Sequence, residues 1–302
     1  MPQTNAWRIL FIINPVSGNG AGADLEKTIR EYFKDGPHAT EVFELTGTDD
    51  ASSIKYWIDT WKPDRVVAAG GDGTLNAVAE VVMGTGLSLG ILPAGSANGM
   101  ARDLGFPMDY KECLDIITND HTELVDIIRI NDKDISIHLS DFGLNAQLIK
   151  QFEESDRRGM WGYAREVWKV IRNKEQFRVE VITPDHRVFR DAWMVVVANA
   201  RMYGTGAMIN PSGDLQDGLL EVIVMKKLSG WELLKMILKH HSFDRSKTEV
   251  IQAEEVWITV KKPVYFQVDG EYKGSLKKIH AVVQPKALKL LVPGPIRNEP
   301  VM

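Results

Sequence analysis

A single cysteine, Cys113, in 302 residues excludes any disulfide within the chain. Tyr110, Leu114 and Ile117 accompany it at helical spacing, so it reads as a buried, inert thiol and not a nucleophile. An excess of positive charge is also missing. Thirty-six Lys and Arg against 41 Asp and Glu leave a formal net charge of −5, which gives no electrostatic footing for a nucleic acid partner. No segment approaches the ~18 consecutive apolar residues that cross a bilayer. The apolar run from Ile9 to Ile13 is too short for the core of a signal peptide and passes straight into Asn14-Pro15. The expectation is a soluble, cytoplasmic chain that meets a membrane only transiently, from its surface. Internal repeats and low-complexity stretches are absent, and 44% hydrophobic with 25% charged residues are ordinary globular values. A chain of this length builds two domains or one large one.

Two rhythms divide it. Residues 7 to about 130 alternate short apolar strands (9–13, 40–45, 66–69, 87–92) with helical stretches (22–34, 50–61, 74–83, 98–104). That alternation predicts a parallel sheet wrapped by helices, with ligands beyond the carboxyl ends of its strands. From 131 onward strands dominate (134–139, 177–182, 188–198, 219–225, 250–260, 264–268, 279–283), with helical insertions at about 160–172 and 229–241. Their period-two alternation predicts an antiparallel sandwich. The fold class is therefore an α/β N-terminal domain over 1–130 and a β-sandwich over 131–286, with 287–302 a candidate strand returning to the first domain.

Three polar, glycine-bearing loops fall at the carboxyl ends of the first-domain strands. Gly70-Gly71-Asp72-Gly73-Thr74-Leu75-Asn76 joins a buried strand to a helix. Such a turn aims backbone N–H groups and the positive end of a helix dipole at one point, which suits phosphate. Asp72, set among three glycines, is a candidate for holding magnesium or for taking a proton from an attacking hydroxyl. Asn14-Pro15-Val16-Ser17-Gly18-Asn19-Gly20 and Leu92-Pro93-Ala94-Gly95-Ser96-Ala97-Asn98-Gly99 repeat the layout. Alone, each is equally well an ordinary turn or helix cap. Neither a Gly-Lys-Ser/Thr phosphate loop nor a Gly-x-Gly-x-x-Gly fingerprint is present.

In the second half, Asp214 and Asp217 with the Leu219 carbonyl form a plausible shell for a hard cation, although Asp-Gly turns are common. Asp269-Gly270-Glu271 closes a strand, where a plain hairpin turn is the alternative. Asp141-Phe142-Gly143 matches a protein-kinase triplet, but the other kinase signatures are missing. Residues 156–172 interleave Trp161, Tyr163 and Trp168 with arginines, either a helix packed on the sandwich or one lying on an anionic membrane. His240-His241 reads as a solvated helix end and not a metal site.

Taken together and in order, Asn14–Gly18, Gly70–Asn76, Gly95–Asn98, Asn199–Pro211, Asp217-Gly218-Leu219 and Asp269-Gly270-Glu271 resemble the bacterial lipid kinases of the diacylglycerol and sphingosine kinase superfamily. The resemblance spans almost the whole chain. It implies a first domain like those of phosphofructokinases and NAD kinases, and transfer of the γ-phosphoryl group of ATP to a lipid hydroxyl, of diacylglycerol or a sphingoid-type acceptor. It also implies that Asn14, Ser17, Gly18, Thr46, Gly70, Gly71, Asp72, Gly73, Thr74, Asn76 and Ser96 contact nucleotide, with Pro15 and Asn98 in the same loops. Either Asp72 or Glu271 would be the proton acceptor. Asp214, Asp217 and Leu219 would hold a structural magnesium ion, and Asp126 would belong to a polar network linking the domains. Partners would be a lipid at a membrane surface, with peripheral membrane contact and no nucleic acid; a homodimer is open to it.

The chain departs from the diacylglycerol enzymes at Gly99, where they carry a second acid, whereas sphingosine kinases carry none there; this bears on the acceptor lipid. Two other readings share parts of the pattern. An NAD kinase shares the Gly70 loop but has a Thr-Gly-Ser-Thr-Ala run of which only a fragment, at 204–207, is present here. A lipid- or nucleotide-binding regulator without catalysis would treat Gly99 as its lesion.

Overall fold

The structure is a computed structural model that describes residues 6–19, 22–143, 146, 176–202, 208–226 and 247–296. The expected helices at 160–172 and 229–241, with Trp161, Tyr163, Trp168 and His240-His241, lie outside the described residues, as do Gly20 and 204–207. The described residues divide into two compact units, one of those up to 125 with 286–296 and one of those between 126 and 285.

In the first unit strand and helix alternate: β1 (Arg8–Ile13), α1 (Gly22–Phe33), β2 (Ala39–Glu44), α2 (Asp50–Trp61), β3 (Arg65–Gly70), α3 (Asp72–Val82), β4 (Ser88–Pro93), α4 (Gly99–Asp103) and α5 (Tyr110–Thr118). All of its pairings are parallel, in the order β2–β1–β3–β4, and Lys289 and Leu290 add a parallel ladder to Ser88 and Leu89 of β4. Parallel strands covered on both faces read as unbroken apolar runs. Ile9–Ile13 and all six residues of β3 are accordingly buried. On α3 the buried set Leu75, Val78, Ala79 and Val82 falls at i, i+3, i+4 and i+7, one stripe facing the sheet. The Asp109 side chain caps α5 by accepting from the Lys111 and Glu112 amides. Cys113 is fully buried, and burial pushes its thiol up to about 12, an inert residue as expected.

Register fixes where the loops emerge. Ile13 pairs with both Glu44 and Ala69, and Gly70 pairs with Pro93. The carboxyl ends of β1 to β4 therefore line up at one sheet edge.

The second unit takes up the chain within β5 (Thr122–Ile130) and continues through β6 (Asp134–Ser136), β7 (Leu139–Gly143), β8 (Phe177–Ile182), β9 (Arg187–Ala192), β10 (Met194–Ala198), β11 (Leu220–Met225), β12 (Thr248–Ala253), β13 (Glu255–Val268) and β14 (Glu271–Leu291). Its pairings are antiparallel, in the order β12–β11–β10–β7–β13–β14, and the β8–β9 hairpin joins through β13. Strand β13 serves two neighbours. Residues 257–260 pair with β8 and 266–268 with β7, and a register shift between Thr259 and Val264 separates the two stretches. Alternate side chains of these strands, β6 apart, meet in one core, including Val181, Val197, Val222, Ile258 and the ring pair Phe142–Phe266 at 4.7 Å. This is the sandwich-like antiparallel domain that the rhythm predicts.

Several expected strands need correction. The stretch 134–139 is two strands, because the backbone of residues 137–139 turns to donate to Asp269. The stretch 188–198 breaks at Trp193 and 250–260 breaks at Glu254. The expected strands 264–268 and 279–283 are parts of much longer ones, β13 and β14. Strand β5 was not expected at all, since it buries a full carboxylate, Asp126, in the middle of an apolar run. A hydrogen bond of 2.7 Å from the Gly218 amide compensates that acid.

Candidate functional site

At the sheet edge of the first unit the three loops come into contact through their backbones. A Cβ on Gly18 would lie 2.3 Å from the Ala94 carbonyl oxygen, and one on Gly95 would lie 2.4 Å from the Gly71 Cα. Only residues without a side chain permit that approach. Asn14 binds the loops to one another: its amide donates to the Ala69 carbonyl at 3.1 Å, and its Nδ2 donates to Thr74 Oγ1 at 3.2 Å. Its Oδ1 accepts from the Val16 amide, which curls the chain toward Ser17 and Gly18.

Helix α3 begins in the middle of this cluster. Its N-cap residue, Gly71, contributes no side-chain cap. The first-turn N–H groups of a helix have no partner within the helix, and together with the dipole they make an anion site. The backbone there fits a phosphate. The side chains around it divide into two groups. Thr74 is buried under Gly70, and Asn98 folds back on its own loop, its Oδ1 accepting from Gly95 N at 2.8 Å and its Nδ2 donating to Gly95 O at 2.9 Å. These two shape the loops from within. Ser96 and Thr46 are exposed, and the Thr46 hydroxyl donates to Thr48 O while its amide donates to Asp50. Pro15, Ser17 and Gly73 sit half-buried at the loop surfaces, as does Asn76 one turn into α3.

Asp72 is engaged on both oxygens. Oδ2 accepts from the Gly99 amide at 2.9 Å and Oδ1 from the Met100 amide at 3.1 Å. The carboxylate thus fastens the start of α3 to the start of α4 and fixes the third loop between them. Gly99 takes part as a backbone donor.

In the second unit a polar cluster surrounds the turn before β11. Asp214 and Asp217 each accept from a backbone amide two residues on, at 2.9 Å, in tight Asx-type turns. Burial raises the Asp217 carboxyl above the usual range, and the nearby charges of Asp214 and Asp126 push it further; the Leu219 amide pulls the other way. Burial also raises Glu221, which the Gln252 and Asn210 amides partly offset by donating to it. Asn199 Nδ2 donates to the carbonyls of Asp126 and Ile137. The side-chain oxygens of Asn199 and Asn210 are buried without a partner. Acids that raise one another beside unused amide oxygens fit a hard cation. Among the described residues no three His, Cys, Asp or Glu side chains gather as a metal cage, so such an ion would need backbone oxygen, as from Leu219, or water.

Glu271 is the first residue after the β13–β14 turn, paired across it with Val268. Its side chain is half-exposed, and Oε2 accepts from Lys273 Nζ at 3.0 Å. Lys273 also reaches Asp134 at 3.3 Å. Burial works against the ammonium charge, but the Glu271 and Asp134 carboxylates outweigh it and hold Lys273 above the ordinary lysine range. Sequence reasoning passed over Lys273, although its position two residues along the same strand face as Glu271 was a usable signal. It also passed over Ser136 and Gln267, whose roles are set by contacts more than a hundred residues away.

Comparisons with known proteins cover both units. Residues 8–130 match the diacylglycerol kinase catalytic domain, and residues 141–292 match the YegS C-terminal NAD kinase beta sandwich-like domain. The chain is 29% identical to a Pectobacterium atrosepticum protein named "Probable lipid kinase YegS-like", over 94% of this chain and 95% of that protein. It is also 29% identical to a diacylglycerol kinase of Mycobacterium tuberculosis, over 95% of each. A crystal structure of a diacylglycerol kinase from Bacillus anthracis superposes with a TM-score of 0.72 at 19% identity, covering 97% of this chain and all of that one, a likeness of fold.

Proposed function

The chain belongs to the diacylglycerol kinase catalytic-domain family and is a lipid kinase by kinship, and on that premise we propose that it transfers the γ-phosphoryl group of ATP to a hydroxyl of a diacylglycerol or sphingoid-type lipid. The observation that carries this reading is the start of α3, without a side-chain cap and set where the Gly18, Gly71 and Gly95 backbones meet. The amides of that first turn bind the triphosphate, with Ser17, Gly18, Thr46 and Ser96 on its flanks. Glu271 takes the proton of the lipid hydroxyl as its oxygen bonds to the γ-phosphorus and the bond to the bridging oxygen breaks, releasing ADP.

Glu271 and not Asp72 is the base in this reading, because both Asp72 oxygens already accept backbone hydrogen bonds. Asp72 positions the third loop instead. Magnesium, when bound, supplies charge neutralisation, and Asp214, Asp217 and the Leu219 carbonyl are the groups suited to hold a structural ion. Lipid acceptors imply work at a membrane surface.

Transfer of ³²P from γ-labelled ATP to a total lipid extract, with NAD as a parallel acceptor, tests the reading. Chloroform-extractable product is expected. Labelled NAD phosphate without labelled lipid would make the chain an NAD kinase, and ATP binding without either product would make it a regulator. Loss of a positioned base costs ~10²–10⁴-fold. Glu271→Gln should lower kcat by that order with KM for ATP unchanged, whereas Asp72→Asn should raise KM for ATP as well. The reverse pattern would move the base role to Asp72.

A further inference from the structure

Asp269 and Gly270 are the two central residues of the β13–β14 turn, with φ of 46° and 92°. Positive φ at both positions is the geometry of a two-residue type I′ hairpin turn, in which Asn-Gly serves as well as Asp-Gly. The turn by itself does not call for a carboxylate. Here the carboxylate faces a distant segment. Its Oδ1 accepts from Ser136 Oγ at 2.7 Å and from the His138 and Leu139 amides at 3.1 and 3.0 Å, and its Oδ2 accepts from the Ile137 amide at 2.8 Å. Successive N–H groups converging on one anion form a nest, and bonds to an ionised acceptor are about twice as strong as neutral ones.

A second tether supports the turn from behind. Gln267 is buried; its Oε1 accepts from the Gly270 amide at 2.7 Å, and its Nε2 donates to Asp141 Oδ2 at 2.5 Å. Glu271 leaves this turn, and its lysine partner is held by Asp134, which lies on the same segment that Asp269 grips. The bonds of Asp269, Gln267 and Lys273 around Glu271 therefore lead back to residues 134–141.

We infer that Asp269 is a positioning residue for phosphoryl transfer: its carboxylate, bound to the 137–139 backbone and the Ser136 hydroxyl, fixes the turn that presents Glu271 to the acceptor hydroxyl. This rests on the reading of Glu271 as the base. A displacement of about 1 Å in a reacting group can cost ~10²-fold in rate. Asparagine at 269 keeps the turn but sets an NH₂ group against the Ile137 N–H, donor against donor, and removes the charge that strengthens the three bonds to its remaining oxygen, so the grip is weakened while the hairpin survives.

A double-mutant cycle on the full chain tests it, with ³²P transfer from ATP to total lipid extract as the assay. Asp269→Asn should lower kcat by about 30- to 100-fold, with KM for ATP within about two-fold. Ser136→Ala, which deletes one bond of the four and leaves the backbone intact, should lower it about five-fold, as one hydrogen bond of about 1 kcal/mol allows. It also keeps the inference testable should Asp269→Asn fold poorly. Asp269→Asn combined with Glu271→Gln should be no slower than Glu271→Gln alone, because a residue that acts through Glu271 has nothing further to lose. Losses that multiply, or near-normal kcat in both Asp269→Asn and Ser136→Ala, overturn the inference while leaving Glu271 as the base. Near-normal kcat in Glu271→Gln overturns the base assignment and the inference together.

Discussion

The two units use one device, a carboxylate gripping consecutive backbone amides, over very different lengths of chain. In the first unit Asp72 reaches Gly99 and Met100, the start of the next helix. In the second, Asp269 reaches back to Ile137, His138 and Leu139, some 130 residues earlier. Parallel strands in register deliver successive loops to one edge, so an acid at one helix start finds the next loop with little added loop-closure entropy. An antiparallel sandwich offers no such repetition, and its grip joins segments that only the finished fold brings together. The first unit's site is a property of its repeating architecture; the second unit's is a property of individual long-range bonds.

The largest effect that separates the two kinds of site is expected at Gly95. Alanine there would place Cβ 2.4 Å from one backbone atom and 3.0 Å from another, both of Gly71, and main chain does not yield as a side chain does. Overpacking of this kind costs about 3 kcal/mol, the upper part of the usual range. Because the strain falls on the loops that meet at α3, ATP affinity should drop by about ten-fold or more. Thermal unfolding and calorimetric titration with ATP measure the two effects. Normal stability with normal affinity would show that the loops need not touch.

The same contrast explains what the sequence made legible. Gly18, Gly70, Gly71 and Gly95 follow apolar runs that can only be buried strands, so their place at one edge follows from alternation alone. The roles of individual residues within the loops were less visible. Thr74 and Asn98 have the chemistry of ligand contacts, and their bonds to Asn14 and Gly95, which hold the loops together, are visible only in the fold. In the second unit the alternating strands could be read, but breaks at Trp193 and Glu254 could not, nor could β5. A strand that buries Asp126 is credible only once Gly218, 92 residues on, is known to satisfy it.

A smaller effect is expected where the second unit leaves acids facing one another. Asp217 is raised by burial and by Asp214 and Asp126, which a bound cation would relieve. Magnesium at about one hundred times its dissociation constant should stabilise the fold by about 2.7 kcal/mol, read as a rise in Tm that EDTA reverses. Asp217→Asn should abolish that rise. A rise of the same size in the variant would place the ion elsewhere, and no rise in the native chain would leave the acids as a pH-sensitive cluster.

The smallest effect is expected at a carboxylate held by side chains and not by backbone. Glu249 on β12 accepts from Arg190 in bidentate fashion, both bonds 2.7 Å, and is paired with Lys226 as well. The Arg190 hydrogen bonds, against the cost of burial and with help from Lys226, hold its carboxyl down at about 2, from an ordinary 4.5. A depressed folded value means that the stability from this group is fully present above about pH 4.5 and drains away as pH falls toward 2. Partly exposed ion pairs are worth no more than about 1 kcal/mol, so Glu249→Gln should cost that much or less at pH 7. The gap between native and variant should then close progressively below pH 4.5. Asp217 and Glu221, raised by burial, have the opposite slope and mask the trend in the native chain alone, so the difference between the two proteins is the quantity to follow, by urea midpoints at pH 7, 5, 4 and 3. A gap that stays constant over that range would mean that Arg190 and Lys226 contribute packing and not charge, and that the contrast between backbone-held and side-chain-held acids has no energetic content here.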